Sequence, residues 1–598
     1  MADIPPSRSR STESLFSPGQ STPTSSVGDN SSDVHSRQTA TTTPTTTTPN
    51  TPLTSLTHAS LLSPSSSPTT PLTLLTIGFG PASLAIAIAL SDHLSSSPSS
   101  PSPPVLFLEK QPQFAWHSGM QLAGTQMQIS FLKDLATPRD PTSPFSFLNY
   151  LYCKGRLQKF INLGTFLPAR REYEDYMRWC ASHFSRAVRY GTEITRVDAV
   201  HNEETGRVDR FNVHWIDTAT GEPGRATARN VVVATGGSPA VPTLFAPFIT
   251  GPDARFIHSS QYATSIPHLS TALLSPSTPQ HLVVIGGGQS AAEIYVDLST
   301  RFPSSRITLL VKDTSLRPSD DSPFVNEIFD PDRVTPTFEL AAKERAEKRE
   351  RDKGTNYGVV RLELLERIYS ELYAQEVDEA DETRWRCRVL NSRTVVGVQR
   401  LAGGGSGEGE GEGEGGRGVR LEVARTGVEN GERESIEAGL VVFATGYVRD
   451  AHVRILEGTR GLLEAERGVA EAAVVETEAA VAVAEVVEAA EEVSPVVEAV
   501  GDVAAEEIAP VAEVAVPEAA AAVKEAPATA TEAVLPETTP VEKSVEEEVK
   551  VAVEVTRAPA VFSVGRDYKV QYAEGAVEDG AGIWLQGFER YAVVDPST

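Results

Sequence analysis

The apolar residues of this chain gather in short runs. The clearest are Leu74-Leu75-Thr76-Ile77, Val105-Leu106-Phe107-Leu108, Val231-Val232-Val233, Leu282-Val283-Val284-Ile285, Ile307-Thr308-Leu309-Leu310-Val311 and Val441-Val442-Phe443. Runs so short and so continuously apolar predict strands buried on both faces, as in a parallel sheet covered by helices. Two of them feed glycine-rich turns, Gly78-Phe79-Gly80-Pro81-Ala82-Ser83 and Gly286-Gly287-Gly288-Gln289-Ser290, and a helix is expected after each. Two others end at Ala234-Thr235-Gly236-Gly237 and Ala444-Thr445-Gly446-Tyr447. The expected fold is α/β, with two Rossmann-like dinucleotide-binding domains.

A strand, a tight glycine turn and a helix aim backbone N–H groups and a helix N-terminus at a pyrophosphate. One such turn is a weak signal. Two in one chain point to two dinucleotides, one reducing the other, and so to a flavoprotein that uses a nicotinamide. The residue ending the second strand of each unit reads the adenosine ribose. In the first unit that residue is Glu109, whose carboxylate repels a 2′-phosphate and suits FAD or NAD. In the second it is Lys312, a cation suited to the 2′-phosphate of NADP, with Asp313 beside it.

Composition changes the picture in three places. The net charge is −27, but residues 461–550 hold 22 acidic and 4 basic side chains, so two thirds of the excess is local. This balance argues against a nucleic-acid partner, which would want a basic face. Cys153, Cys180 and Cys387 are far apart, with no CxxC pair, which argues against a disulfide reductase and a Cys-rich metal site. No apolar stretch reaches the ~18–20 residues that span a bilayer, and without an apolar run behind a basic segment at the N-terminus no secretory signal is expected. A cytoplasmic protein without membrane or metal is expected.

The organisation follows. Residues 1–70 are a Ser/Thr/Pro-rich tail expected to be disordered. Residues 71–275 form the first part of the FAD-binding domain, and 276–440 the NADPH-binding domain with a small, mainly helical substrate-binding region. Residues 441–463 return to the FAD domain. Gly403–Gly418 alternates Gly and Glu and reads as a flexible loop. Residues 464–560 are an Ala/Val/Glu/Pro-rich acidic insert without core-forming side chains, and 561–598 are a remnant of the FAD domain.

Longer motifs surround these turns. They are Gln113-Phe114-Ala115-Trp116-His117-Ser118-Gly119-Met120, then Met127-Gln128-Ile129-Ser130-Phe131-Leu132-Lys133-Asp134, then Arg317-Pro318-Ser319-Asp320-Asp321-Ser322-Pro323-Phe324-Val325-Asn326-Glu327-Ile328-Phe329. From about Leu72 to Glu457, and again from Arg566 to Gly587, the chain resembles the L-ornithine N(5)-monooxygenases, the flavin-dependent enzymes that open fungal hydroxamate siderophore synthesis. The resemblance implies FAD and NADPH as cofactors, L-ornithine and O2 as substrates, and a homotetramer. Carried over by motif, the FAD set is Gly78, Gly80, Pro81, Ala82, Ser83, Glu109, Lys110, Gln111, Trp116, His117, Gln128 and Ile194. The NADP set is Gly287, Gly288, Gln289, Ser290, Lys312, Asn356, Tyr357 and Gly358. The substrate set is Lys133, Asn326, Glu327, Ile328, Phe329 and Asn356. Lys133 is implied to hold the amino-acid carboxylate and the two asparagines the head group. Where Lys312 stands, the family usually has Arg.

Read alone, Lys133 equally fits a surface charge, and the asparagines fit helix caps. The head-group set would serve lysine as well as ornithine, so an L-lysine N(6)-hydroxylase is the alternative within the enzymes. The flavin carries the chemistry, so no catalytic side chain beyond it is expected. One departure stands at the end. The family continues past Gly582-Ile583-Trp584-Leu585-Gln586-Gly587 into a His-Gly segment and a Ser/Leu-rich stretch, and this chain does not. The expectation is a truncated C-terminus, with an impaired FAD-binding paralogue as the rival reading.

Overall fold

The computed structural model describes residues 71–97, 102–249, 255–272, 280–355, 357–401, 418–428, 433–463 and 562–586. The expected disordered tail, the Gly/Glu loop up to residue 417, the acidic insert and the chain after 586 lie outside these ranges, as does Asn356.

Each apolar run becomes a strand of one of two sheets. In the first sheet the order is Val188–Arg189, Val105–Leu108, Leu72–Ile77, Pro223–Val233, Val208–Asp217, Thr192–His201. The first four are mutually parallel, and the last two form an antiparallel hairpin. Pro223–Val233 serves two partners along one edge. Residues 223–228 pair antiparallel with Val208–Asp217, and residues 230–233 pair in parallel with Gly582–Leu585. The segment after the insert thus returns to complete the first sheet at its carboxyl end. Phe79, Leu84, Ile88 and Phe107 pack on one face with an aromatic cluster of Phe145, Phe147, Tyr150, Tyr176 and Phe184. Ile77, Val197, Val213, Leu456 and Ile583 fill the other.

The second sheet is parallel throughout, in the order Cys387–Leu390, Arg306–Leu310, His281–Ile285, Leu440–Phe443, Phe256–His258. This moves two expected boundaries. Phe256–His258 lies before residue 276 and Leu440–Phe443 reaches past residue 440, yet both belong to the second sheet. A buried parallel strand carries no mark of which sheet it joins, because the same apolar run suits either. Between Arg306–Leu310 and Cys387–Leu390 the chain is helical, with Pro323–Asn326, Val334–Phe338, Ala342–Asp352 and Leu362–Asp378. A three-stranded antiparallel sheet, Arg393–Leu401, Gly418–Arg425 and Arg433–Ala438, packs against the second sheet. The two crossings between sheets are tied by a short ribbon in which Tyr447 pairs with Pro239 and Val448 with Ser238. Among the described residues no helix is long and apolar enough to cross a membrane.

In each sheet the strand that opens a glycine turn has neighbours reached by opposite crossovers. This is the switch point, where the carboxyl edge of an open α/β sheet leaves a crevice for ligand.

Candidate active site

The two glycine turns are built alike. Gly78 N–H donates to the Leu108 carbonyl at 2.7 Å, and Ala234 N–H donates to the Ile77 carbonyl at 2.8 Å. In the second unit Gly286 N–H donates to Leu310 at 3.0 Å, and Ala444 N–H to Ile285 at 2.8 Å. Each Ala-Thr-Gly turn therefore lies directly over a glycine. A Cβ on Gly78 (φ +91°) would sit 2.5 Å from the Ala234 oxygen, and one on Gly286 (φ +148°) 2.4 Å from the Ala444 oxygen. Only glycine fits either place.

A helix starts from each turn. Pro81–Ser96 has Pro81 in its first turn, where its missing N–H costs nothing. Gln289–Arg301 follows Gly288. Neither helix has an acidic residue in its first turn, so both positive ends are free to face an anion. Ser83 is buried, and its hydroxyl donates to the Gly78 carbonyl at 2.6 Å. Thr235 Oγ1, beside Gly78, is buried without a hydrogen-bond partner among the described residues. An orphaned hydroxyl over a glycine cradle fits a polar ligand lying along the first turn.

Glu109 ends the second strand as expected. Its carboxylate accepts from Phe79 N–H at 2.7 Å and Gln111 N–H at 2.9 Å. Lys110 turns outward to Glu193 at 2.7 Å. Ile194 is only 6 % exposed, with its side chain in the core below the first sheet.

Two cavities gather part of the remaining motifs, while Lys133, Asn326, Glu327, Ile328 and Phe329 line neither. The larger, about 1130 Å³, runs along the second turn and is lined by Gly287, Lys312, Tyr357, Gly358 and Thr445, among others. Asp313 does not oppose Lys312 freely, because Arg317 binds its carboxylate at 2.8 Å. That guanidinium and the Thr314 N–H hold the Asp313 carboxyl down at about 2. The smaller cavity, about 300 Å³, is shared between units. Trp116, His117 and Gln128 reach it from the first, and Gln289 and Ser290 from the second. Arg170 and Tyr447 also line it.

His117 sits in the left-handed region (φ 45°, ψ 43°). Burial, then the charges of Arg170 and Arg449, push its pKa down, so it is neutral at neutral pH. Burial raises the Tyr447 phenol, which stays protonated and able to donate.

Lys133 and Phe329, far apart in sequence, meet with the ammonium 5.6 Å from the ring centroid. Asn326 Nδ2 donates to the Asp321 carbonyl at 2.7 Å, which leaves its Oδ1 as an acceptor. Glu327 pairs with Arg333, and Ile328 is half-buried.

Sequence reasoning missed Arg170. It donates to both carboxylate oxygens of Glu293, at 2.7 and 2.8 Å, and to the Met120 carbonyl at 2.8 Å. The pair is 11 % and 6 % exposed. Glu293 also accepts from Gln289 at 2.9 Å, and Gln289 Oε1 accepts from Arg361 N–H at 2.9 Å. One buried ion pair thus fixes the second unit's cofactor helix against the first unit. Arg170 lies in no motif that would have marked it. Tyr447 had a signal, since it directly follows the second Ala-Thr-Gly turn.

This chain is similar to known proteins in sequence and in fold. The L-ornithine N(5)-monooxygenase of Emericella nidulans is 46 % identical over 396 residues, covering 64 % of this chain and 75 % of that protein. The L-ornithine N(5)-monooxygenase SIDA of Beauveria bassiana is 38 % identical over 525 residues, covering 86 % and 80 %. The solved ornithine hydroxylase (PvdA) of Pseudomonas aeruginosa superposes with a TM-score of 0.61 at 29 % identity, covering 88 % of this chain and 93 % of that one. A model of the L-lysine 6-monooxygenase/L-ornithine 5-monooxygenase family matches residues 70–449, and the chain belongs to that family.

Proposed function

We propose that this chain hydroxylates the side-chain amine of L-ornithine with O2, holding FAD on the first sheet and NADPH on the second. The observation that carries the reading is the shared 300 Å³ cavity, where Trp116, His117 and Gln128 face Gln289 and Ser290. A cofactor on each glycine turn would bring its reactive end towards this cavity. Bound FAD supplies the ring that activates oxygen, and bound NADPH supplies the hydride that reduces it.

The chain's own residues do the rest. Glu109 and the first turn suit the FAD adenosine and pyrophosphate, and Lys312 suits the NADPH 2′-phosphate. His117, held neutral by burial, adds no charge and little acidity beside the flavin. Trp116 and Tyr447 flank it and help keep water out. Lys133 supplies a cation for the amino-acid carboxylate, and Asn326 Oδ1 a neutral acceptor for its α-ammonium. Ornithine and lysine differ by one methylene, worth only ~1–3 kcal/mol in an apolar pocket. The relatives above favour ornithine.

The test follows NADPH oxidation, O2 uptake, hydroxylated amine and hydrogen peroxide in the FAD-loaded full chain, with ornithine, with lysine and with neither. Hydroxylated ornithine in proportion to NADPH is expected. Peroxide alone, unchanged by ornithine, would refute the activity, and a preference for lysine would move the substrate.

A further inference from the structure

The larger cavity is lined by four cationic side chains: Lys312, Arg317, Lys353 and Arg393. Two are already compensated. Arg317 binds Asp313 at 2.8 Å, and Lys353 binds Glu350 at 3.2 Å. Lys312 has no ion-pair or hydrogen-bond partner for its ammonium among the described residues. Arg393 has no carboxylate partner among them either. Its guanidinium reaches only the backbone carbonyls of Asn391 and Ser392, both at 3.3 Å.

These two uncompensated cations are neighbours by construction. Ser392, in the left-handed region at φ 52°, turns the chain from Cys387–Leu390 into Arg393–Leu401. The Arg393 N–H then donates to the Val311 carbonyl at 2.9 Å, and the Ser392 N–H to the Asp313 carbonyl at 2.8 Å. Those two bonds bracket Lys312, so Arg393 lines the cavity beside the ribose-reading position.

We propose that Arg393 is a second reader of the coenzyme's 2′-phosphate, acting beside Lys312. The inference rests on the NADPH reading of this cavity. A phosphate monoester carries about −1.5 to −2 at neutral pH, which two unpaired cations balance and one does not. The chemistry is complementary as well. A lysine ammonium is a single charged point, whereas a planar guanidinium donates two parallel N–H bonds to a pair of phosphate oxygens. Arg393 thereby makes discrimination against a coenzyme without the 2′-phosphate a property of two segments far apart in sequence.

The test is calorimetric titration of the purified full chain with 2′,5′-ADP and with 5′-AMP, which differ only in the 2′-phosphate. The variants are Arg393→Ala, Arg393→Lys and Lys312→Ala, each checked for an unchanged melting temperature. Wild type is expected to bind 2′,5′-ADP more tightly. Arg393→Ala should weaken 2′,5′-ADP roughly tenfold or more, the range for a charge-assisted contact, and leave 5′-AMP within about twofold. Arg393→Lys should fall between, and it carries the comparison should the alanine variant not fold. If wild type discriminates and Lys312→Ala loses discrimination while the Arg393 variants keep it, the proposal for Arg393 fails and the NADPH reading stands. If wild type does not discriminate, both fail. Equal weakening of both nucleotides in Arg393→Ala also overturns the proposal.

Discussion

Glu109 and Phe79 are joined by a hydrogen bond from the Phe79 N–H to Glu109 Oε2 at 2.7 Å, across 30 residues of sequence. The carboxylate expected to read a ribose is therefore also a brace for the glycine turn, with Oε1 bound to the Gln111 N–H. Each oxygen keeps a second lone pair for a ligand hydroxyl.

Glu109→Ala removes the acceptor of two backbone N–H groups as well as the ribose contact. A loss of about 1–3 kcal/mol is expected from the part-buried Phe79 N–H, and little from the exposed Gln111 N–H. The purified variant should carry less FAD per chain than wild type by visible absorbance after dialysis, with Glu109→Gln in between. Full flavin occupancy in the alanine variant would count against the brace.

The two glycine turns should be separable. Gly78→Ala drives a Cβ into the Ala234 carbonyl and should give colourless or unstable protein. Gly286→Ala drives one into the Ala444 carbonyl of the other unit. It should keep its flavin absorbance while NADPH-driven reduction in stopped flow falls at least tenfold. Loss of flavin from both variants would show that the two units do not act separately.

Arg170 and Glu293 form a nearly dry pair between the units. Removing one partner leaves a buried charge, at a cost of about 3–5 kcal/mol. Arg170→Leu should lower the melting temperature sharply, and adding Glu293→Leu should recover much of the loss. A double variant as unstable as the sum of the singles would mean that the pair is not coupled.

His281 gives the stability a pH dependence. Burial, then Arg306 and Arg388, hold its pKa down at about 4 in the fold, against an unfolded value near 6.5. Between those values the unfolded chain binds the extra proton, so stability is complete above about pH 6.5 and declines as pH falls towards 4. The shift corresponds to a few kcal/mol at most. Melting temperatures between pH 8 and 4.5 should fall on the acid side, and His281→Gln should flatten that limb. Burial also lowers His117, His183, His258 and His452, so part of the slope will remain.

Lys133→Ala should raise the apparent KM for ornithine roughly ten- to a hundredfold, as for a lost charge-assisted contact. NADPH-driven flavin reduction should stay nearly unchanged, because Lys133 lies with Phe329 rather than along the second turn. An unaltered response to ornithine would remove Lys133 from the carboxylate site.

Local chemistry was enough to read both glycine turns, the strands that feed them and the residues Glu109 and Lys312 that end the next strands. A buried parallel strand must be apolar throughout, and a turn under a neighbouring carbonyl must be glycine, so both leave marks in a short window of sequence. The motifs around Trp116, Lys133 and Asn326 carried the family and its substrate. Sequence could not say that Phe256–His258 and Leu440–Phe443 pair in the second sheet, because any buried edge accepts the same apolar run. It could not place Ile194 in the core, since an isoleucine on a strand fits either face until the register is known. Nor could it find Arg170 against Glu293 or Arg393 beside Lys312. Those pairs are separated by 123 and 81 positions, and their meaning lies in burial and in which charges are left unpaired. Both are fixed only when the two sheets and their crossovers are packed together.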